Sequence, residues 1–114
     1  MKIWLDDMRH PPEGYVPTKS VLWAARQIRM SRVEHISFDH DLGLPFTGYT
    51  LACLIEKWAM LSLIPRMTWA IHSANPVGRG NIVRAMKSAE RFWTNGTEKR
   101  RAVTIRRGVP HGQE

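Results

Sequence analysis

The amino-acid sequence predicts an α/β domain, a mostly parallel sheet with helices on both faces. Three observations lead there. Short apolar runs of strand length alternate with segments whose apolar residues recur at helical spacing, the pattern of a parallel sheet with crossover helices. The 114 residues suit one compact domain and are too few for two ordinary ones. Three of the strand-like runs end in acids or histidines: KIWL enters Asp6-Asp7, HISF enters Asp39-His40-Asp41, and MTWAI enters His72-Ser73.

The elements follow in order. Residues 2–5 read as a strand, and RHPPEGY after it excludes a helix through Pro11, Pro12 and Gly14. Residues 15–18 are weakly extended. Val21, Ala25 and Ile28 mark a helix over about 19–30. Residues 35–39 form a strand. Thr47 is a natural N-cap for a second helix that buries Leu51, Leu54, Ile55, Trp58 and Leu61. Residues 67–71 form another strand, and Ile82, Met86, Ala89 and Trp93 share one face of a helix over about 81–93. TNGTEK reads as a turn, AVTIR at 102–106 as the last strand, and 108–114 as a loose tail of a domain spanning 1–114.

Composition narrows the setting. No apolar run approaches the roughly 20 residues of a membrane span, and the N-terminus lacks a signal peptide's apolar region, so the expected location is cytoplasmic. The lone Cys53 sits among apolar neighbours and reads as a small buried hydrophobe, consistent with a reducing compartment. Charge is uneven: residues 1–75 carry 8 Lys/Arg against 7 Asp/Glu, residues 76–114 carry 9 against 3. The cationic C-terminal third suits polyanions and phosphate-bearing ligands.

Right-handed crossovers place every parallel strand's C-terminal end on one edge, where ligands of open α/β sheets bind. The acids and histidines would meet there. Converging carboxylates repel one another unless a cation neutralises them, and an all-oxygen set suits a hard ion such as Mg²⁺ or Mn²⁺. Asp6, Asp7 and Asp41 form a sufficient ligand set, with Asp39 as the substitute for Asp41; in the first arrangement Asp39 joins His40 and His72 as a candidate catalytic group. Either imidazole suits proton transfer near neutral pH. His10 lies in the RHPP loop, and His35 and His111 read as surface residues. HSANPVGRGN reads as an anion cradle: Ser73 and Asn75 offer donors, Gly78 and Gly80 let backbone N–H groups approach, and Arg79 can clamp a phosphate.

Three ordered features resemble a response-regulator receiver domain: the acidic pair Asp6-Asp7, the run DLGLPFTGYTLACLI, and Ser73-Ala74 after the fourth strand-like segment. The motifs LDDMRHPP, FDHDLG and HSANPVGRGN are similar to those of a divergent branch, the cyclic-phosphate-processing receiver domains. The resemblance implies a flavodoxin-like, three-layer fold with a five-stranded sheet of order 2-1-3-4-5. It implies a metal-dependent phosphoesterase acting on cyclic phosphate ends of RNA or related cyclic nucleotides, in RNA repair or phage–host conflict. Arg9, in the first motif, joins the phosphate-binding candidates. A phospho-accepting signalling domain and a non-catalytic binder of nucleotides or nucleic acid remain the alternatives.

Overall fold

The computed structural model describes residues 1–107, with side chains described through Asn95; the expected tail at 108–114 lies outside the described residues. Four short strands, β1 (Lys2–Leu5), β2 (Tyr15–Thr18), β3 (His35–Phe38) and β4 (Thr68–Ile71), pair in the order β2-β1-β3-β4. Every pairing is parallel, and Leu5, Phe38 and Ile71 share one row of the register.

Three helices connect and follow the strands: α1 (Val21–Arg29), α2 (Gly48–Met60) and α3 (Pro76–Arg107). Ser20 caps α1, its Oγ accepting from the Trp23 N–H at 3.0 Å. Thr47 caps α2 in a reciprocal box with Thr50. Met30 closes α1 and Leu61 closes α2, each followed by a serine in the left-handed region (Ser31 φ 57, Ser62 φ 58). Leu61, expected inside, is exposed at that cap, and Cys53 is only half-buried.

The core lies on one side of the sheet. Ile3, Leu5, Ile36 and Phe38 are each 0% exposed and alternate with Lys2, Trp4, His35 and Ser37 on the other side, as the two-residue strand period requires. The first set joins one apolar cluster with Val21, Ala24 and Ile28 of α1, Leu51 and Ile55 of α2, and Ile82, Met86 and Ala89 of α3. The connections from β2 to β3 and from β3 to β4 step the same way across the sheet, so right-handed crossovers place α1 and α2 together.

The α/β class, the parallel sheet and the order 2-1-3-4 agree with the sequence reading, and two details differ. Residues 102–106 continue α3 instead of forming a fifth strand. Between Thr94 and Arg107 there is no proline, and Gly96 alone costs about 1 kcal/mol, too little to stop a run of Glu, Lys, Arg and Ala. The helices also cover one face rather than two: through Asn95 none lies on the side of Trp4 and Ser37. The proline-bearing connection from Asp6 to Gly14 carries no helix, and among the described residues no fifth strand returns the chain to that side. Among the described residues no helix is long and apolar enough to cross a membrane.

Gly48 holds the fold tightly at the rim. A Cβ there would lie 2.0 Å from the Asp39 carbonyl oxygen, and its N–H donates to the His40 carbonyl at 3.0 Å. Gly48→Ala should therefore cost about 1–3 kcal/mol in urea unfolding. Gly80→Ala, whose nearest contact would be Arg84 Nη1 at 3.7 Å, should gain about 0.5–1 kcal/mol from helix propensity. Equal effects of the two substitutions would contradict this packing.

Candidate functional site

The rim beyond β1, β3 and β4 is assembled by the same ladder that makes the sheet. The Asp39 N–H donates to the Leu5 carbonyl at 2.8 Å, and the His72 N–H to the Phe38 carbonyl at 2.9 Å. Asp6, Asp39 and His72 thus form the row immediately after the last paired residues. Carboxylate oxygens of Asp6, Asp7 and Asp39 lie within 4.8 Å of one another. Asp6 and Asp39 are buried and Asp7 is exposed, so the trio opens to solvent on one side.

Asp6 is the anchor. Its Oδ1 accepts from the backbone N–H groups of Met8 at 2.8 Å and Arg9 at 3.0 Å. Its Oδ2 accepts from His72 Nε2 at 2.9 Å and lies 3.6 Å from the Arg9 guanidinium. Burial alone would raise its pKa; the two backbone donors and His72 together outweigh that and hold the carboxyl below its usual 3.8. The turn LDDMR therefore folds around an ionised Asp6.

His72 is committed at both ring nitrogens. An ionised carboxylate can only accept, so Nε2 carries the proton given to Asp6, and Nδ1 accepts from the Ser37 hydroxyl at 2.8 Å. Burial pushes the His72 pKa below 6.5 despite the raising effect of Asp6 and Asp39. Trp4 lies parallel to the ring, with centroids 3.7 Å apart and planes 2° apart, and its indole Nε1–H donates to the Arg9 carbonyl at 3.2 Å. Neither Ser37 nor Trp4 was singled out in the sequence. Each sits two residues before an acid, in ISFD and WLD, and that spacing places it on the same sheet face.

His40 is arranged differently. Nδ1 lies 3.0 Å from Asp41 Oδ1, and Nε2 has no hydrogen-bond partner among the described residues. Its ring rests on Gly78, where a Cβ would come within 2.3 Å of Cγ. Asp41 is exposed and outside the acidic trio. Its pKa is held below 3.8 by hydrogen bonds from His40 and then Asn75, the latter at 3.4 Å. Asp39 Oδ1 accepts from the His40 N–H at 2.8 Å. Gly43, at φ +66, brings the following loop against Asp7, with a Cβ there 3.0 Å from Oδ2.

The segment read as a glycine cradle is the start of α3. Pro76 opens the helix, and Asn75 caps it through Oδ1, which accepts from the Gly78 N–H at 2.9 Å. Ser73 is largely buried, and its Oγ accepts from the Asn75 N–H at 3.1 Å. Arg79 donates to the Ile71 carbonyl at 3.1 Å and Arg9 to the His72 carbonyl at 2.7 Å; both side chains remain exposed. Gly80 lies in the next turn of the helix. His10 is exposed in its loop, whereas His35, expected on the surface, is half-buried beside Tyr15.

A receiver-like parallel α/β scaffold with an acidic, histidine-bearing rim is the class that fold and site define. A family model for the cyclic-phosphate processing receiver domain matches residues 1–88, and the chain belongs to that family. No curated protein and no solved structure matches it.

The imidazoles give stability a pH dependence with a definite sign. In the unfolded chain His72 takes up a proton near pH 6.5, whereas the folded ring resists until lower pH. Within that window the unfolded state binds more protons, so stability falls as pH decreases below 6.5. His35, its pKa lowered by burial and then by Lys2, contributes in the same sense. Asp6 acts lower, its contribution being lost as pH falls below 3.8 through its folded value. In metal-free buffer, His72→Gln should reduce the loss of stability measured by urea unfolding between pH 7.5 and 5.5. An unchanged loss would contradict a neutral folded His72.

Proposed function

We propose that this protein is a metal-dependent phosphoesterase that opens cyclic phosphodiesters, with 2′,3′-cyclic phosphate ends of RNA or related cyclic nucleotides as substrates. The observation that carries the reading is the gathering of Asp6, Asp7 and Asp39 within 4.8 Å, beside His40 and His72, in a chain of the cyclic-phosphate processing family. The donor set is all oxygen and open on the Asp7 side, which fits a hard divalent cation such as Mg²⁺ or Mn²⁺ that keeps waters and takes a substrate oxygen. Such an ion, when bound, polarises a phosphoryl oxygen and lowers the pKa of a coordinated water.

The chain's own groups supply the rest. Ring opening adds water across one P–O bond: a bond from water oxygen to phosphorus forms, the bond to one ribose oxygen breaks, and that oxygen takes a proton. The product is a phosphomonoester. His40, with Nε2 facing no partner among the described residues, moves the proton; Asp41 at Nδ1 and Gly78 under the ring fix its orientation. His72, engaged by Asp6 and Ser37, positions Asp6 rather than titrating in the reaction. Arg9 and Arg79, each with a guanidinium held at the rim by a carbonyl, and the hydroxyl of Ser73 hold the phosphate. The amino end of α3, with Gly78 and Gly80 in its first turns, adds its positive dipole. Asp41 orients His40 instead of ligating the ion. A reducing, cytoplasmic setting belongs to the same reading.

Purified protein incubated with nucleoside 2′,3′-cyclic phosphates and Mg²⁺ should release phosphomonoesters, and EDTA should stop the release. His40→Gln should lower kcat by about 10²–10⁴-fold with the fold intact by circular dichroism. Asp7→Asn, at an exposed position, should abolish metal-dependent turnover without loss of stability. Absence of ring opening with Mg²⁺, release undiminished by EDTA, or full activity in both variants would sink the reading.

A further inference from the structure

The face of the sheet that no helix covers through Asn95 carries a mixed aromatic and cationic surface that runs up to the rim. Its outward residues include Lys2, Trp4, Tyr15, His35, Thr68 and Ala70, placed side by side by the parallel register. On the helix side, Ile3 and Leu5 of the same strand are fully enclosed; here Trp4 and Tyr15 are half-buried, and Thr68 and Ala70 are exposed.

Contacts within the face keep these rings in fixed positions. Tyr15 meets Trp4 edge-on at 5.4 Å and His35 edge-on at 5.7 Å, and the Lys2 ammonium sits 4.6 Å from the Tyr15 ring centroid. His35 Nδ1 lies 2.7 Å from Thr68 Oγ1, which donates to the Glu34 carbonyl. Trp4 is continuous with the rim through its stack on His72. The four residue steps from Asp6 back to Lys2 span ~13 Å of strand, room for about two successive nucleotides.

We infer that this face is a stacking platform for single-stranded RNA, holding the bases that precede a cyclic phosphate seated at the rim. The second half of that statement rests on the cyclic-phosphate reading; the platform itself does not. Aromatic rings on a sheet face that bears no helix among the described residues take bases by stacking, irrespective of sequence. Charge on the face is mixed: Lys2 and Arg9 border it, Glu34 acts on His35, and Asp6 and Asp39 stand at the rim, so the cations lie along the strands and the carboxylates where the ion would sit. A permanent subunit interface would replace Lys2, His35, Ser37 and Thr68 with apolar residues.

The test uses the full chain in EDTA with a dye-labelled tetra-adenylate ending in a plain 3′-hydroxyl, so that catalysis plays no part. Anisotropy should show salt-sensitive binding. Tyr15→Ala and the exposed-site variant Ala70→Glu should each weaken it by about fivefold to a hundredfold, while Met60→Glu, on the helix side, should not. In NMR titration the Trp4 indole and the 35–37 and 68–70 amides should shift. Unchanged binding in both face variants, shifts confined to the helix side, no binding, or self-association through this face without RNA would each overturn the platform. The same tetra-adenylate with a cyclic end, tested with Mg²⁺, separates the two ideas: intact binding without ring opening removes the phosphoesterase reading alone.

Discussion

The structure depends on the in-register parallel pairing of β1, β3 and β4. Because Leu5, Phe38 and Ile71 lie in one row, the next residue of each strand falls on the same rim, and two ladder bonds, Asp39 N–H to Leu5 and His72 N–H to Phe38, extend the row past the paired residues. A slip of one residue in any strand would turn its rim residue into the apolar core. The core side of the same strands prevents that slip: Ile3, Leu5, Ile36 and Phe38 are buried under three helices. Hydrophobic packing thereby fixes the positions of polar groups that would otherwise repel one another.

Those groups are stabilised unequally. Asp6 is ionised and enclosed, with both oxygens engaged by the turn that follows it and by His72. Asp39 accepts from the backbone of its neighbour, and Asp7 stands exposed with Gly43 at its side. The gradient from enclosed to open gives the trio a fixed base and an accessible mouth. Ser37 and Trp4 complete the base, the first by fixing the His72 tautomer and the second by covering its ring.

Much of this was legible in the sequence because it follows from periodicity and chain order. Strand ends, the Thr47 cap and the shared rim come directly from alternating apolar runs and parallel topology. The start of α3 did not, because Gly78-Arg79-Gly80 carries the composition of a loop; Gly78 is glycine to admit the His40 ring. The choice between Asp39 and Asp41 was open in the sequence, since both flank His40; the Asp39 N–H bond to Leu5 turns Asp39 toward Asp6 and leaves Asp41 outside the trio. The β-branched run Val103-Thr104-Ile105 suggested a strand, but β-propensity is weak where a helix already under way meets no stop. The sheet face that bears no helix through Asn95 was hidden for a different reason: alternation shows which residues share a face, not whether a helix covers it.

The central claim is that one rim holds one hard cation through Asp6, Asp7 and Asp39. Crystals soaked in Mn²⁺ test it most directly through the metal's anomalous scattering. The account predicts a peak at oxygen-coordination distance, about 2.0–2.2 Å, from carboxylates of that trio. A peak bound to Asp41 with the trio empty, or no ordered peak at the rim, would contradict it.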